Sequence, residues 1–362
     1  MKKVFIAATK QNDGKTTVSL GLISNLNNRF KNIGFIKPIG QRYLEEEGLK
    51  VDEDSILIEE AFGIKCGLKD MNPIAVERGF TENYILHPDK DTLSQQIKDA
   101  YKRVSGNNDL VIIEGTGHAG VGSVFDHSNA TVAKLLDAKV ILISSGGVGR
   151  PIDEIILNKA LFDKIGVEVL GVIVNKVLPE KLNKISKLVC MGLKKFDIDV
   201  LGVIPYLPFL SYPSVGQILE EEKYKVLSGK EQLNNVVKKI IIGAMQPHNA
   251  LAHIQDGSLV ITPGDRDDML LTILSCHLSE AKKDVNISGI ILTGGIMPSD
   301  RIMTLMKSSG IPVLLSGDDT YNVASSVHDL TVKIRPKDKE KINLVHKMFK
   351  ENVDLDKILE GM

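Results

Sequence analysis

An α/β protein is what this sequence predicts: one parallel sheet with helices on both faces, followed by a second, smaller α/β block. Three observations carry the prediction. Short apolar runs such as Val4–Ala8, Leu110–Ile113 and Val200–Ile204 read as fully buried strands. Helix-length segments separate them, and regular strand–helix alternation is the mark of a parallel sheet. The stretch Pro208–Gln217, PFLSYPSVGQ, interrupts that rhythm with two prolines and several turn formers, and 362 residues suffice for two cores.

The first strand leads into the most informative stretch, Lys3–Thr17, KVFIAATKQNDGKTT. After Val4–Ala8 comes a polar turn, Thr9–Asp13. Gly14-Lys15-Thr16-Thr17 then opens a helix carrying Val18, Leu20, Leu22, Ile23 and Leu26. Strand, loop, GK[ST] and helix make up a phosphate-binding P-loop. Amides at the helix N-terminus face anionic oxygens, and the helix dipole favours negative charge. The nucleotide-binding set is therefore Asn12, Asp13, Gly14, Lys15, Thr16 and Thr17. Lys15 is placed to reach the β/γ-phosphates, and the Thr16 hydroxyl to ligate Mg²⁺. The usual motif has Gly where this chain has Thr9, and Lys10 stands five residues before Lys15.

The second strand, within Asn32–Ile39, ends in Lys37-Pro38, so Lys37 lies at a strand end, where open α/β sheets face ligand. Lys50–Glu60 starts a helix with Asp52, Glu53 and Asp54 in its first turn. Dipole capping explains acids there, and a metal role for Asp54 is the functional alternative. Gly79–Leu86 reads as irregular and Leu93–Val104 as an amphipathic helix. Asp109–His118, DLVIIEGTGH, is a buried strand ending in Glu114 and a glycine-rich turn. An unpaired buried carboxylate is costly, so an acid after four apolar residues points to a metal ligand.

Strands follow at Ala138–Ser144, Val167–Val174 and Val200–Pro205, with Asn175-Lys176 closing the middle one and a helix starting at Pro151. The turn Ser145–Arg150 is not G-x-G-x-x-G and has no acid-tipped strand after it, which argues against a dinucleotide fingerprint.

Beyond Pro208–Gln217 a helix over Ile218–Leu227 is expected. Strands are then expected at Val236–Gly243, Ser258–Thr262, Ile287–Leu292, Pro312–Leu315 and Leu330–Ile334. Turns Thr262–Asp268 and Leu292–Gly295 each follow a strand and open a helix, without GK[ST]. The division expected is 1–211, a linker and helix over 212–235, an α/β domain over 236–336, and a C-terminal helix over 337–362. A fragment ending at Leu210 is expected to fold.

Composition excludes other classes. Net charge is −1 with both signs dispersed, so no nucleic acid or anionic membrane partner is expected. Cys66, Cys190 and Cys276 lack metal or disulfide spacing, which suits a cytoplasmic protein. No apolar run reaches transmembrane length.

The spacing K-x-x-x-G-K-T over Lys10–Thr16 resembles the deviant P-loop of the ATPase group that contains dethiobiotin synthetase and the MinD-like proteins. The later landmarks extend the likeness: Lys37-Pro38, Asp54, Glu114-Gly115-Thr116-Gly117, Asn175-Lys176 and Ile204-Pro205. They resemble the dethiobiotin-synthetase-like N-terminal region of large bacterial phosphotransacetylases. Gly264–Asp268, GDRDD, and Leu292–Gly295, LTGG, resemble the DRTGG domain of those enzymes.

The resemblance implies ATP and Mg²⁺ as cofactors, with Thr16, Asp54 and Glu114 on the metal. It implies that Lys37 faces phosphate and a carbamate substrate, and that Asn175 contacts adenine. It implies a homodimer in which Lys10 reaches the partner's nucleotide. Thr9 and His118 depart from the family pattern, and no diamine-binding segment is recognisable. Acetyl transfer is not expected. Two functions follow: an ATP-dependent ligase or ATPase activating a small carboxylate or carbamate under a regulatory DRTGG-like domain, or a nucleotide-binding sensor with little catalysis.

Overall fold

The computed structural model describes residues 1–46, 48–64, 66–278 and 285–362. The chain forms two compact units, Met1–Leu207 with Ile334–Met362, and Pro208–Lys333.

Among the described residues of the first unit, six strands make one sheet. They are β1 (Lys2–Ala8), β2 (Ile33–Ile36), β3 (Leu110–His118), β4 (Val140–Ser145), β5 (Val169–Val177) and β6 (Val200–Pro205). Their spatial order is β6-β5-β4-β1-β3-β2, and every neighbouring pair is parallel. The predicted fold class is the observed one. β1 lies inside the sheet, and its register sets Ile6 opposite Glu114 on β3. The phosphate loop and the acid-tipped strand therefore end side by side. Val4–Ala8 and Leu110–Ile113 are fully buried, as continuous apolar runs covered on both faces should be.

Helix α1 (Lys15–Leu26) follows β1, and α2 (Glu53–Phe62) follows a short hairpin of Tyr43–Glu46 with Leu49–Asp52. Phe80–Leu86 is helical, where an irregular segment was expected. Phe80 and Tyr84 stand four apart on one helix face and meet Phe125 edge-on at 5.3 and 6.3 Å between ring centroids, so packing decides the conformation.

The second unit holds β7 (Lys225–Ser228), β8 (Lys239–Ile242), β9 (Ser258–Pro263), β10 (Ile287–Thr293) and β11 (Val313–Leu315). Their order is β7-β11-β10-β9-β8, with β7 antiparallel to its neighbour and the others parallel. Two expectations are corrected here. The helix expected to reach Leu227 stops at Glu222, because Lys223 turns left-handed (φ 54°), and the chain continues as strand β7. Residues 330–334 form no strand: β7 holds the edge beside β11, and the Lys333 carbonyl accepts instead from the Gln217 side chain at 2.8 Å.

The last residues return to the first unit as two helices, Lys339–Asn352 and Leu355–Gly361, rather than one. Val353 breaks them, extended at φ −127°, because it bridges to Gly202 on the edge strand β6. Phe349, fully buried, lies against Gly21 of α1 so closely that a Cβ there would stand 2.3 Å from its ring. Asn25 donates to the His346 carbonyl at 3.1 Å, and Arg29 pairs with Asp356. A fragment ending at Leu210 lacks this cover. Phe349→Ala is expected to cost about 3–5 kcal/mol of stability in urea titration. A loss below about 1 kcal/mol would mean that the helix adds little to the fold.

Candidate nucleotide site

The loop between β1 and α1 is held by its own polar side chains. Asn12 (φ 65°) and Gly14 (φ 101°) are left-handed, and a Cβ on Gly14 would lie 2.2 Å from the Asn175 amide nitrogen. Glycine is required there on both counts. The Asp13 carboxylate turns inward and accepts from Thr9 Oγ1 at 2.8 Å, from the Lys10 amide at 3.0 Å and from Ser145 Oγ. Thr9, where the usual motif has glycine, thus supplies a donor that closes the loop. Asn158 Nδ2 donates to the Thr9 carbonyl at 3.1 Å.

Beside the loop lies a buried charge cluster. Lys15 Nζ donates to the Gly117 carbonyl at 3.2 Å, and burial draws its pKa below the ordinary 10.5 against the pull of Glu114. Glu114, fully buried, accepts from Thr16 Oγ1 at 3.1 Å and from Ser19 Oγ at 2.6 Å. Burial first, and the Asp54 charge second, push its carboxyl up to about 7. Lys37 Nζ donates to Asp52 Oδ1 at 2.7 Å and also to Asp54. Burial alone would lower the Lys37 pKa, but Asp54 and Asp52 outweigh it and hold the ammonium well above its ordinary range. Asp52 also caps α2, accepting from the Asp54 amide at 3.0 Å, while burial raises its own pKa. Asn72 fixes this corner, donating to the Lys37 carbonyl at 2.8 Å and accepting from the Asp52 amide at 3.1 Å.

The structure brings Lys15, Thr16, Lys37, Asp54 and Glu114 together. Asn12 to Thr17 form the loop and helix start beside them. Asn175 is buried beneath the loop and donates to the Asp13 carbonyl at 2.9 Å. Lys10 stands apart, part-exposed, 3.7 Å from Glu154 of the same chain. Sequence reasoning missed Ser19, Asp52, Ser145 and Asn158. Ser19 was within reach: it lies three residues after Thr16, on the same helix face. Thr16, Asp54 and Glu114 offer only oxygen donors, which suit a hard cation. No cluster of three or more His, Cys, Asp or Glu placed to hold a metal occurs among the described residues. A magnesium that also takes phosphate oxygens needs no more than one or two carboxylates.

In the second unit the corresponding turns are tied up internally. Arg266 forks onto Asp268 at 2.8 and 3.0 Å and onto the Gly243 and Met245 carbonyls, each at 3.1 Å. A Cβ on Gly264 would collide with the Ile296 carbonyl.

Family models match both units. One described as an AAA domain covers residues 2–214, and one described as a DRTGG domain covers residues 217–330. The phosphate acetyltransferase of Nitratidesulfovibrio vulgaris (Hildenborough) is 30% identical over 97% of this chain and 50% of its own length. Those of Pseudomonas putida (KT2440) and Synechocystis sp. (PCC 6803) are 29% and 28% identical, each over 98% of this chain and 51% of their own. The chain spans about half the length of the curated relatives it matches. The resemblance read from the residues, a dethiobiotin-synthetase-like P-loop domain joined to a DRTGG domain as in phosphotransacetylases, is the one found.

The raised Glu114 pKa has a sign. The unfolded chain releases this proton near 4.5 and the fold keeps it to about 7. The stability this group contributes is therefore fully present below 4.5 and is lost as pH rises through about 7. The loss is on the order of 3 kcal/mol for this group. Urea midpoints at pH 5 and pH 8 should fall apart in the parent and draw closer in Glu114→Gln. Equal gaps would mean that Glu114 is ionised throughout.

Proposed function

The chain belongs to the AAA-domain family with a DRTGG domain behind it, and we propose that its first unit is an ATP- and Mg²⁺-dependent enzyme that activates a small carboxylate or carbamate. One observation carries this reading: Lys15, Thr16, Lys37, Asp54 and Glu114, scattered in sequence, meet where β1 and β3 end beside the phosphate loop. Open α/β sheets bind ligands at that edge.

In this reading the amides of Asn12–Thr17 and the Lys15 ammonium take the β- and γ-phosphates. Thr16, Asp54 and Glu114 would hold Mg²⁺, which would supply charge neutralisation at the phosphates. A substrate oxygen bonds to the γ-phosphorus as the bond to the β–γ bridging oxygen breaks, and ADP leaves with that electron pair. Lys15 and Lys37 stabilise the charge that develops. An amine then displaces the phosphate from the activated carbonyl. Asn175 serves the adenine end, and the second unit regulates by taking a small ligand. Two copies meet over the loop so that Lys10 reaches the partner's phosphates. The second reading, a nucleotide sensor with little catalysis, draws on the engagement of Lys37 by two carboxylates, which leaves little charge for a substrate.

Lys15→Ala should weaken ATP binding by about 2–4 kcal/mol in calorimetry with Mg²⁺. Unchanged affinity would end the phosphate-loop reading. ATP turnover should be measured with bicarbonate and short carboxylates, each with and without a diamine. A rise of about tenfold or more with one combination is expected of the enzyme. A flat panel with intact ATP binding favours the sensor.

A further inference from the structure

We infer that Lys176, acting with Asn175, is a positioning residue that straps the phosphate loop into its anion-binding shape before any ligand arrives. The inference rests on the nucleotide-binding reading above. A loop that turns its amides toward an anion must turn its carbonyls away, and those carbonyls need partners of their own. Here the left-handed turns at Asn12 and Gly14 do the turning. The Asn12 carbonyl accepts from Lys176 Nζ at 2.7 Å, and the Asp13 carbonyl accepts from Asn175 Nδ2 at 2.9 Å. Both donors come from adjacent residues at the end of β5, two strands from β1.

The dipeptide is itself fixed. Asn175 Oδ1 accepts from the Lys176 amide at 2.9 Å, and Lys176 adopts φ 57°, a conformation that a residue with a Cβ enters at a cost. That geometry sends the lysine stem back toward the loop instead of along the strand. Asp13 is held from the opposite side by Thr9, the Lys10 amide and Ser145. The loop is thus clamped between β4 and β5. Lys176 keeps part of its side chain exposed; partial burial draws its pKa down while Asp13 opposes this and Lys10 adds to it.

The test uses the full chain carrying Lys176→Met, which keeps the stem and removes the donor, and Lys176→Arg, which restores donors. In the ligand-free protein, amide exchange over Thr9–Thr17 should quicken about fivefold or more in Lys176→Met and return toward the parent rate in Lys176→Arg. Exchange in β6 serves as the control for global unfolding. Affinity for ADP with Mg²⁺ should fall about tenfold in Lys176→Met and recover in Lys176→Arg. Loop exchange within twofold of the parent overturns the strap. So does a loss of ADP affinity with unchanged exchange, which would make Lys176 a direct ligand contact. A parent that binds no ADP sinks the nucleotide reading, while the exchange comparison still decides the strap.

Discussion

Two ammonium groups and three carboxylates are buried together at the end of β1, and their mutual neutralisation is the constraint on which the first unit depends. Lys15, Lys37, Asp52, Asp54 and Glu114 are all nine-tenths or more buried. A buried charge without a partner is costly, and taking one member from such a set leaves the others uncompensated. Counted fully ionised, the set is one negative charge out of balance. Glu114 meets that imbalance by keeping its proton up to about 7 in the ligand-free fold. A cation drawn to its oxygens would meet it otherwise. The same imbalance that costs stability is what gives the site an appetite for positive charge. Ser19, Asn72 and the turned-out Gly117 carbonyl then serve one end, which is to hold each charged atom where its neighbour needs it.

Much of this was legible in the sequence, and the reason is local. The first sheet's strands are continuous apolar runs, and the GKTT helix start follows a strand and a polar turn. Glu114 stands out because an acid directly after Val111-Ile112-Ile113 has no bland explanation. What escaped notice depends on distant partners. Asp52 reads as an ordinary helix cap, and it is one, but the same carboxylate also holds Lys37, fifteen residues before it. Lys176 reads as a charge at a strand end until the fold carries it to Asn12. Strand β7 and the expected strand at 330–334 have similar composition, and only pairing with β11 decides between them. The contact of Phe349 with Gly21 joins positions at opposite ends of the chain, and neither local pattern hints at it.

Helix α1 carries Lys15 and Thr16, yet its N-cap is Gly14, with no side-chain cap and no acid in the first turn. By the rules of isolated helices this is a poor start, since its first amides lack side-chain partners. The proposed anion site accounts for that, because a capping side chain would occupy amides that a phosphate would use. The stability forgone at the N-terminus has to come from elsewhere along the helix. Leu20, Leu22, Ile23 and Leu26 supply part of it by burial. Gly21 supplies another part by its lack of a side chain, which lets Phe349 lie directly against the backbone. The residues after Lys333 are therefore no appendage: they stabilise a helix whose first turn has no side-chain cap. The chain leaves the first unit at Leu207, builds the second, and returns to cover α1. The helix bearing Lys15 is thus complete only after the chain has passed through the second unit.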